Sequence, residues 1–326
     1  MNYRVLGKTG YRVCEIALGT WQLGSKWGDE FNEQTALETL EAACDAGINF
    51  LDTADVYQSG LSEKAIGKFL KTRKDKIFVV TKSGRQLNPH TADGYNDKNI
   101  TGFVNASIKN MDVECLDLVL LHCPPTDVYY RKEAFDTLDR LKREGKIKHY
   151  GVSVERVEEA IKAMDYDISA VEIIFNMFRL RPCELFFQLA QRKNVGIIAR
   201  VPLASGLLSG KYSEKTTFGP DDHRTFNRNG EAFDKGETFS GVEYSIGLNA
   251  ARKLQERLKT DSLALSALRY ILMFPEVSTV IPGASNPQQA TENVKACSLP
   301  PFTQEEMDIV TEIYNSDIKP SVHHLW

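Results

Sequence analysis

Eight short apolar runs recur along the chain, at residues 15–18, 48–51, 77–81, 116–121, 150–152, 170–175, 195–199 and 277–281. Each is too short for an ordinary helix, and each is followed by a polar loop. Runs of this kind suit strands buried on both faces, as in a parallel sheet. The intervals carry helical patterns. Residues 32–46 place Ala36, Leu37, Leu40, Ala43 and Cys44 on one face and stop at Gly47. Residues 62–70 read as a helix capped by Ser62, with Ala65, Ile66 and Phe69 inward. Segments 99–110, 132–143, 155–164, 182–192 and 262–274 follow the same logic. Strands and helices in alternation predict an α/β chain forming a single (β/α)8 TIM barrel domain over residues 1–326.

Three additions to the barrel are expected. The turn residues Gly7-Lys8-Thr9-Gly10 predict an N-terminal hairpin that caps one end. Residues 203–244 lack periodicity and predict a long loop after strand 7, placed over the mouth where binding loops sit. The tail predicts one helix over 303–314 and an irregular end at Trp326 that packs on the body. A doubly wound dinucleotide fold is the competitor and requires G-x-G-x-x-G. No two of the 22 glycines stand two positions apart.

Composition excludes several function classes. Forty basic and 44 acidic residues leave a net charge of −4, which predicts no nucleic-acid partner and no anionic membrane surface. No apolar run approaches the roughly 20 residues of a membrane span. Met1-Asn2-Tyr3-Arg4 leads into no apolar signal region, so a cytoplasmic location is expected. The six cysteines are scattered without a C-x-x-C pair and are expected to be reduced thiols. His323-His324 lacks spaced partners, and no metal site is expected.

In a parallel barrel the strand carboxyl ends carry the chemistry. The second run ends in Asp52, with Tyr57 just beyond; the third ends in Lys82 and the fourth in His122. A phenol is a poor acid at neutral pH, with a pKa of about 10. An adjacent ammonium is expected to lower it, so Lys82 is expected to activate Tyr57 and Asp52 to orient Lys82. His122 is placed to hold a carbonyl oxygen. Such a set donates a proton to a carbonyl that gains a hydride.

The chain resembles the aldo-keto reductase superfamily over almost its whole length. The resemblance rests on Leu-Gly-Thr-Trp at 18–21, Asp-Thr-Ala-Asp-Val-Tyr at 52–57, Thr-Lys at 81–82, Leu-His-Cys-Pro at 121–124, Gly-Val-Ser at 151–153, Pro-Leu-Ala-Ser-Gly-Leu-Leu-Ser-Gly-Lys at 202–211 and Ile-Pro-Gly-Ala-Ser-Asn at 281–286. It implies a barrel that binds NADP(H), with NAD possible, and reduces an aldehyde or ketone. Tyr57 matches the proton donor, and Asp52, Lys82 and His122 the other catalytic members. The implied cofactor bed is Gly19, Thr20, Trp21, Asp52, Ser153, Glu172, Arg200, Pro202, Leu203, Ser205, Gly206, Leu208, Lys211, Arg224, Gly283, Ser285, Gln289, Glu292 and Asn293. The segment from Gly283 opens a helix, whose N-terminus suits a phosphate.

One segment and three single positions depart from the family pattern. Ser285, Asn286 and Gln289 are neutral where many members carry a basic side chain against the 2′-phosphate. This neutral segment is similar to that of the potassium-channel beta subunits, and it leaves Lys211 and Arg224 as the expected cations. Val154 replaces Asn, Glu172 replaces Gln, and Arg200 replaces an aromatic that stacks on the nicotinamide. Arg200 is expected to stack there and to pair with Glu172. A cofactor-sensing regulatory subunit is the alternative function. A Schiff-base lyase using Lys82 ranks below both, because Asp52 keeps the lysine charged. Trp21, Trp27, Tyr129 and Phe226 are candidate pocket walls, and the substrate itself is not legible.

Overall fold

The computed structural model describes residues 1–25 and 28–326. Strands β1 (Tyr3–Val5) and β2 (Arg12–Cys14) form the expected antiparallel hairpin. The barrel strands are β3 (Leu18–Gly19), β4 (Phe50–Asp52), β5 (Phe78–Ser83), β6 (Leu116–His122), β7 (Ile147–Val154), β8 (Ala170–Ile174), β9 (Gly196–Arg200) and β10 (Val277–Val280). They pair in parallel and in sequence order from β3 to β10. The ring closes between its first and last strands: Ala17 donates its N–H to Val280 O at 2.9 Å, Val280 to Glu15 O at 3.0 Å and Gly19 to Pro282 O at 3.0 Å. The sheet strands are buried on both faces, as the continuous apolar runs require.

The hairpin closes the amino end of the barrel. The Arg4 guanidinium donates to three carbonyls where the chain enters β10, Leu272 at 2.7 Å and Phe274 and Val277 at 2.8 Å, and pairs with Glu15. Leu6 packs on Gly196 at the start of β9. These contacts fix the end opposite the predicted site.

Outside the sheet lie α1 (Glu33–Asp45), α2 (Leu61–Leu70), α3 (Asp97–Met111), α4 (Lys132–Arg143), α5 (Val157–Ala163), α6 (Phe186–Arg192), α7 (His223–Phe226), α8 (Tyr244–Arg257), α9 (Leu263–Ile271), α10 (Pro287–Val294), α11 (Gln304–Ile313) and α12 (Lys319–Val322). Two expectations are corrected. Ser62 does not cap α2; the helix starts one residue earlier, after Gly60 at φ +85. Ser62 is instead buried, and its hydroxyl bonds Thr20 Oγ1 at 2.8 Å and Thr53 Oγ1 at 2.9 Å. Helix α8 was not expected. Glu243 caps it through the N–H groups of Ser245 and Ile246, and Leu248, Ala251 and Leu254 face inward. Its Gly247 and Asn249 obscure the helical period in the sequence.

The segment after β9 is ordered by short turns at Ala204–Ser209, Lys235–Glu237 and Phe239–Gly241. Trp326 packs against it, donating its indole N–H to Asp234 Oδ1 at 2.8 Å with the Arg179 guanidinium 4.0 Å from its ring.

Gly151 on β7 sits where an added Cβ would lie 2.0 Å from Ala170 O, its own neighbour across the sheet. Gly151→Ala therefore forces β7 and β8 apart. We expect a loss of about 1–3 kcal/mol, read as a lower urea midpoint at unchanged slope.

Candidate active site

The sheet register sets the floor of the site. Gly19 pairs with Asp52, and Lys82 stands two residues beyond Val80, which pairs with Asp52. His122 pairs with Ser153, and Ser153 with Glu172. The predicted residues thus converge at one end because their strands are aligned there.

Lys82 is fully buried, and its ammonium lies 2.7 Å from Asp52 Oδ1 and 3.1 Å from Thr53 O. It also donates to Tyr57 Oη at 3.3 Å. A second carboxylate reaches it, with Glu172 Oε2 at 3.5 Å. Glu172 Oε1 accepts from Ser153 Oγ at 3.2 Å. The His122 ring stands edge-on to Tyr57, centroids 6.1 Å apart, and Trp21 stacks over the same phenol at 6.2 Å.

The electrostatics follow from burial. Burial opposes the Lys82 charge, but Asp52, Glu172 and Tyr57 outweigh it and hold the ammonium above its ordinary range. Burial and the neighbouring Glu172 charge push the Asp52 carboxyl well up, against the pull of Lys82. The Tyr57 expectation is corrected here. Lys82 does lower the phenol, but burial, Asp52 and Glu172 together raise it above its ordinary value. Tyr57 therefore holds its proton at rest. Burial, Arg85 and Lys82 hold His122 well below its ordinary range, so its ring is neutral.

Arg200 ends β9 as expected, but it does not pair with Glu172. Its Nη2 donates to Glu155 Oε2 at 2.9 Å, Val154 O at 3.1 Å and Cys123 Sγ at 3.5 Å, and Nη1 lies 3.8 Å from Glu237 Oε2. Glu155 follows β7 and Glu237 comes from the long loop, so both lie nearer the guanidinium than Glu172 does. Arg85, after β5, completes the group through Glu237 and Glu155. Burial pushes the Glu155 carboxyl up to about 8, with Arg200 opposing and Glu237 adding to the rise. Burial opposes the Glu237 charge, but Arg85 and Arg200 hold that carboxyl well below its usual range. Donor atoms of Cys123, Glu155 and Glu237 lie within 4.8 Å of one another, and the two guanidinium groups meet their charge.

The remaining predicted bed residues divide. Ser285 directs both its N–H, at 2.9 Å, and its hydroxyl, at 3.2 Å, at Gln289 Oε1, while Asn286 caps α10. Asn293 Nδ2 donates to Gly283 O at 3.3 Å, beside open space at Gly283, and Glu292 pairs with Lys295. Ser205 is engaged by the loop, donating to Glu237 O at 3.0 Å. Pro202 is buried and Leu203 half-buried, and Gly206 packs against the Tyr212 hydroxyl at φ +98. Leu208 is fully buried, so its side chain belongs to the core. Thr20 is likewise turned inward, its hydroxyl on Asp52 O at 2.8 Å. Lys211 is exposed. Arg224 is held by Asp222, Nε to Oδ1 at 2.8 Å, by Tyr212 and by the Phe218 ring.

Among the expected pocket walls, Trp21 lies at the site, 5.1 Å from the His223 ring and 6.2 Å from Phe233. Tyr129 is fully buried and does not line an open wall. Phe226 is exposed and reaches the site's edge through Phe233. Trp27 lies outside the described residues. Sequence reasoning missed Arg85, Cys123, Glu155, Glu237, His223 and Phe233. Cys123 had a signal, its place directly after His122. The loop residues had none, because their burial depends on how residues 203–244 fold.

A closed parallel barrel with buried titratable groups gathered at its strand carboxyl ends has the arrangement of a barrel enzyme site. The chain belongs to the aldo/keto reductase family, whose model matches residues 15–315. It is 29% identical to the uncharacterized oxidoreductase YqkF of Bacillus subtilis (strain 168), covering 98% of each chain. It is 26% identical to a probable voltage-gated potassium channel subunit beta of Oryza sativa subsp. japonica, again over 98% of each. Among solved structures it superposes on a holo-form aldo-keto reductase of Bacillus halodurans with a TM-score of 0.76, 28% identity and 96% coverage of both chains. A glycerol dehydrogenase of Gluconobacter oxydans gives a TM-score of 0.78 at 26% identity, over 97% of this chain and 96% of that one.

The depressed His122 can be checked directly. Its ring NMR signals are expected to stay constant from about pH 8 to about pH 6, across the ordinary histidine midpoint of about 6.5. A titration of His122 within that window would contradict its neutral, buried state.

Proposed function

We propose that the protein reduces an aldehyde or ketone to the alcohol with a nicotinamide cofactor, and that Tyr57 is the proton donor. The observation that carries this reading is the Tyr57 hydroxyl 3.3 Å from the buried Lys82 ammonium, with a neutral His122 beside the same phenol. Tyr57 enters the reaction protonated. Lys82 stabilises the phenolate left when the proton moves to the substrate oxygen. Neutral His122 offers a hydrogen bond to that oxygen without acting as a competing acid. Trp21 and Phe233 wall an aromatic entrance above them.

The residues present fit a dinucleotide. Ser285 converges two donors on one amide oxygen at the start of α10, a place where a phosphate oxygen can substitute. Ser153 and Glu172 offer polar groups beside the ring site, and Glu172 Oε2 accepts no hydrogen bond among the described residues. When bound, the reduced cofactor supplies the hydride. NADPH is our preferred form and NADH the alternative. Arg224 is already committed to Asp222, which leaves Lys211 as the loop cation of the two expected to reach a phosphate.

The potassium-channel relative favours a second reading, a cofactor-sensing regulator with slow turnover. Rapid multiple turnovers with a simple aldehyde would exclude it.

Tyr57→Phe is expected to lower kcat by about 10²–10⁴-fold while cofactor binding, followed by fluorescence titration, is retained. Near-normal turnover would remove Tyr57 from the role. For the cofactor, kcat/KM with NADPH is expected to exceed that with NADH, and equal values would count against the preference.

A further inference from the structure

The unusual feature of the floor is that one ammonium faces two carboxylates. Lys82 Nζ lies 2.7 Å from Asp52 Oδ2 and 3.5 Å from Glu172 Oε2. Both acids are buried, at 2% exposure each, so solvent cannot screen them. Beyond its ion-pair contact with Lys82, Glu172 Oε2 has no hydrogen-bond partner among the described residues. With both acids ionised, a dry pocket would hold one positive and two negative charges. One proton shared by the acids restores neutrality.

We propose that Asp52 and Glu172 share one proton beneath Lys82, that this proton replenishes Tyr57 through Lys82, and that the pair releases it when a cationic, oxidised nicotinamide is bound. The inference rests on the function proposed above. Glu172 acts through Lys82 and is a positioning residue.

The proton count balances. Tyr57 gives its O–H proton to the substrate oxygen, and the bond between that oxygen and hydrogen forms as the phenol bond breaks. One Lys82 proton moves to the phenolate, and the shared carboxyl proton moves to the Lys82 amine. Tyr57 and Lys82 are then restored, and the acid pair carries two negative charges. An oxidised, cationic nicotinamide held by Ser153 and Glu172 would meet the added charge. After it leaves, the pair takes one proton back from water. The floor and the ring together therefore keep a constant net charge through the transfer, and the acid pair lets Tyr57 and Lys82 recover their protons before the oxidised ring leaves.

Other charges facing this group come from every adjoining element. Lys82 comes from β5, Tyr57 from the loop after β4, His122 from β6 and Arg200 from β9, the last feeling the Glu172 charge. Two rival sources of a proton adjoin the group: Asp55, whose N–H donates to Lys82 O at 3.1 Å and whose buried carboxyl is pushed up to about 7, and Glu155 behind Arg200, whose carboxyl is pushed up to about 8.

The test is titration calorimetry of the full chain with NADP⁺ and with NADPH at about pH 7, in buffers of different ionisation enthalpy. The dependence of heat on buffer reads the protons exchanged. About one proton is expected to be released with NADP⁺ and about none with NADPH. Glu172→Gln is expected to bind both forms and release about none, while Asp55→Asn and Glu155→Gln keep the wild-type release. Wild-type protein that binds both forms without this difference would overturn the inference and leave the proposed function standing, and it needs no variant to fold. Undiminished release from Glu172→Gln, or its loss in Asp55→Asn or Glu155→Gln, would also overturn it. Failure to bind either nucleotide would bring down the proposed function and this inference together.

Discussion

The buried contact between Lys82 and Asp52 is the constraint on which the site depends. An ammonium with no solvent exposure is costly unless its charge is met and its protons are bonded. Asp52, Thr53 O and Tyr57 Oη meet those demands at 2.7, 3.1 and 3.3 Å. Three groups from two strands and the loop beyond β4 are thereby held in one geometry. The parallel register of β4 and β5 makes this possible, because it sets Lys82 two residues beyond the partner of Asp52, and so on the same face of the neighbouring strand. Closure of the ring between β3 and β10 keeps that register from slipping, since no free edge is left there.

A second ionic group lies beside the first and has a different purpose in the fold. Arg85 and Glu155 follow β5 and β7, Arg200 ends β9, and Glu237 comes from the long segment after it. Glu237 is the only one of the four carried by that segment, so its pairs tie the covering loop to the barrel mouth. Trp326 supports the same stretch from outside through Asp234 and Arg179. The guanidinium of Arg200 is thus fixed by carboxylates from two elements. It does not offer a flat face in isolation, as an aromatic side chain would.

Much of the barrel was legible in order. Parallel strands buried on both faces must be continuously apolar, and the eight runs showed this. Helix α8 and the true start of α2 were hidden for local reasons: Gly247 and Asn249 blur the period of one, and the left-handed Gly60 displaces Ser62 from the cap of the other. The candidate site was legible at strand ends and illegible elsewhere. Asp52, Lys82, His122 and Ser153 follow apolar runs directly, and Glu172 interrupts one. Glu237, Phe233 and His223 sit in a stretch whose fold depends on distant contacts, and no pattern in residues 203–244 announces their burial.

The sequence by itself determined the strand order, the groups each strand delivers and the family to which the chain belongs. It did so because strand burial and strand-end chemistry are local to a few consecutive residues. Only the tertiary structure decided which charges meet. Arg200 turns to Glu155 and Glu237, Glu172 turns to Lys82, and Tyr57 keeps its proton in spite of its ammonium neighbour. Pairing and desolvation depend on distances across the barrel, and those are fixed by register and closure.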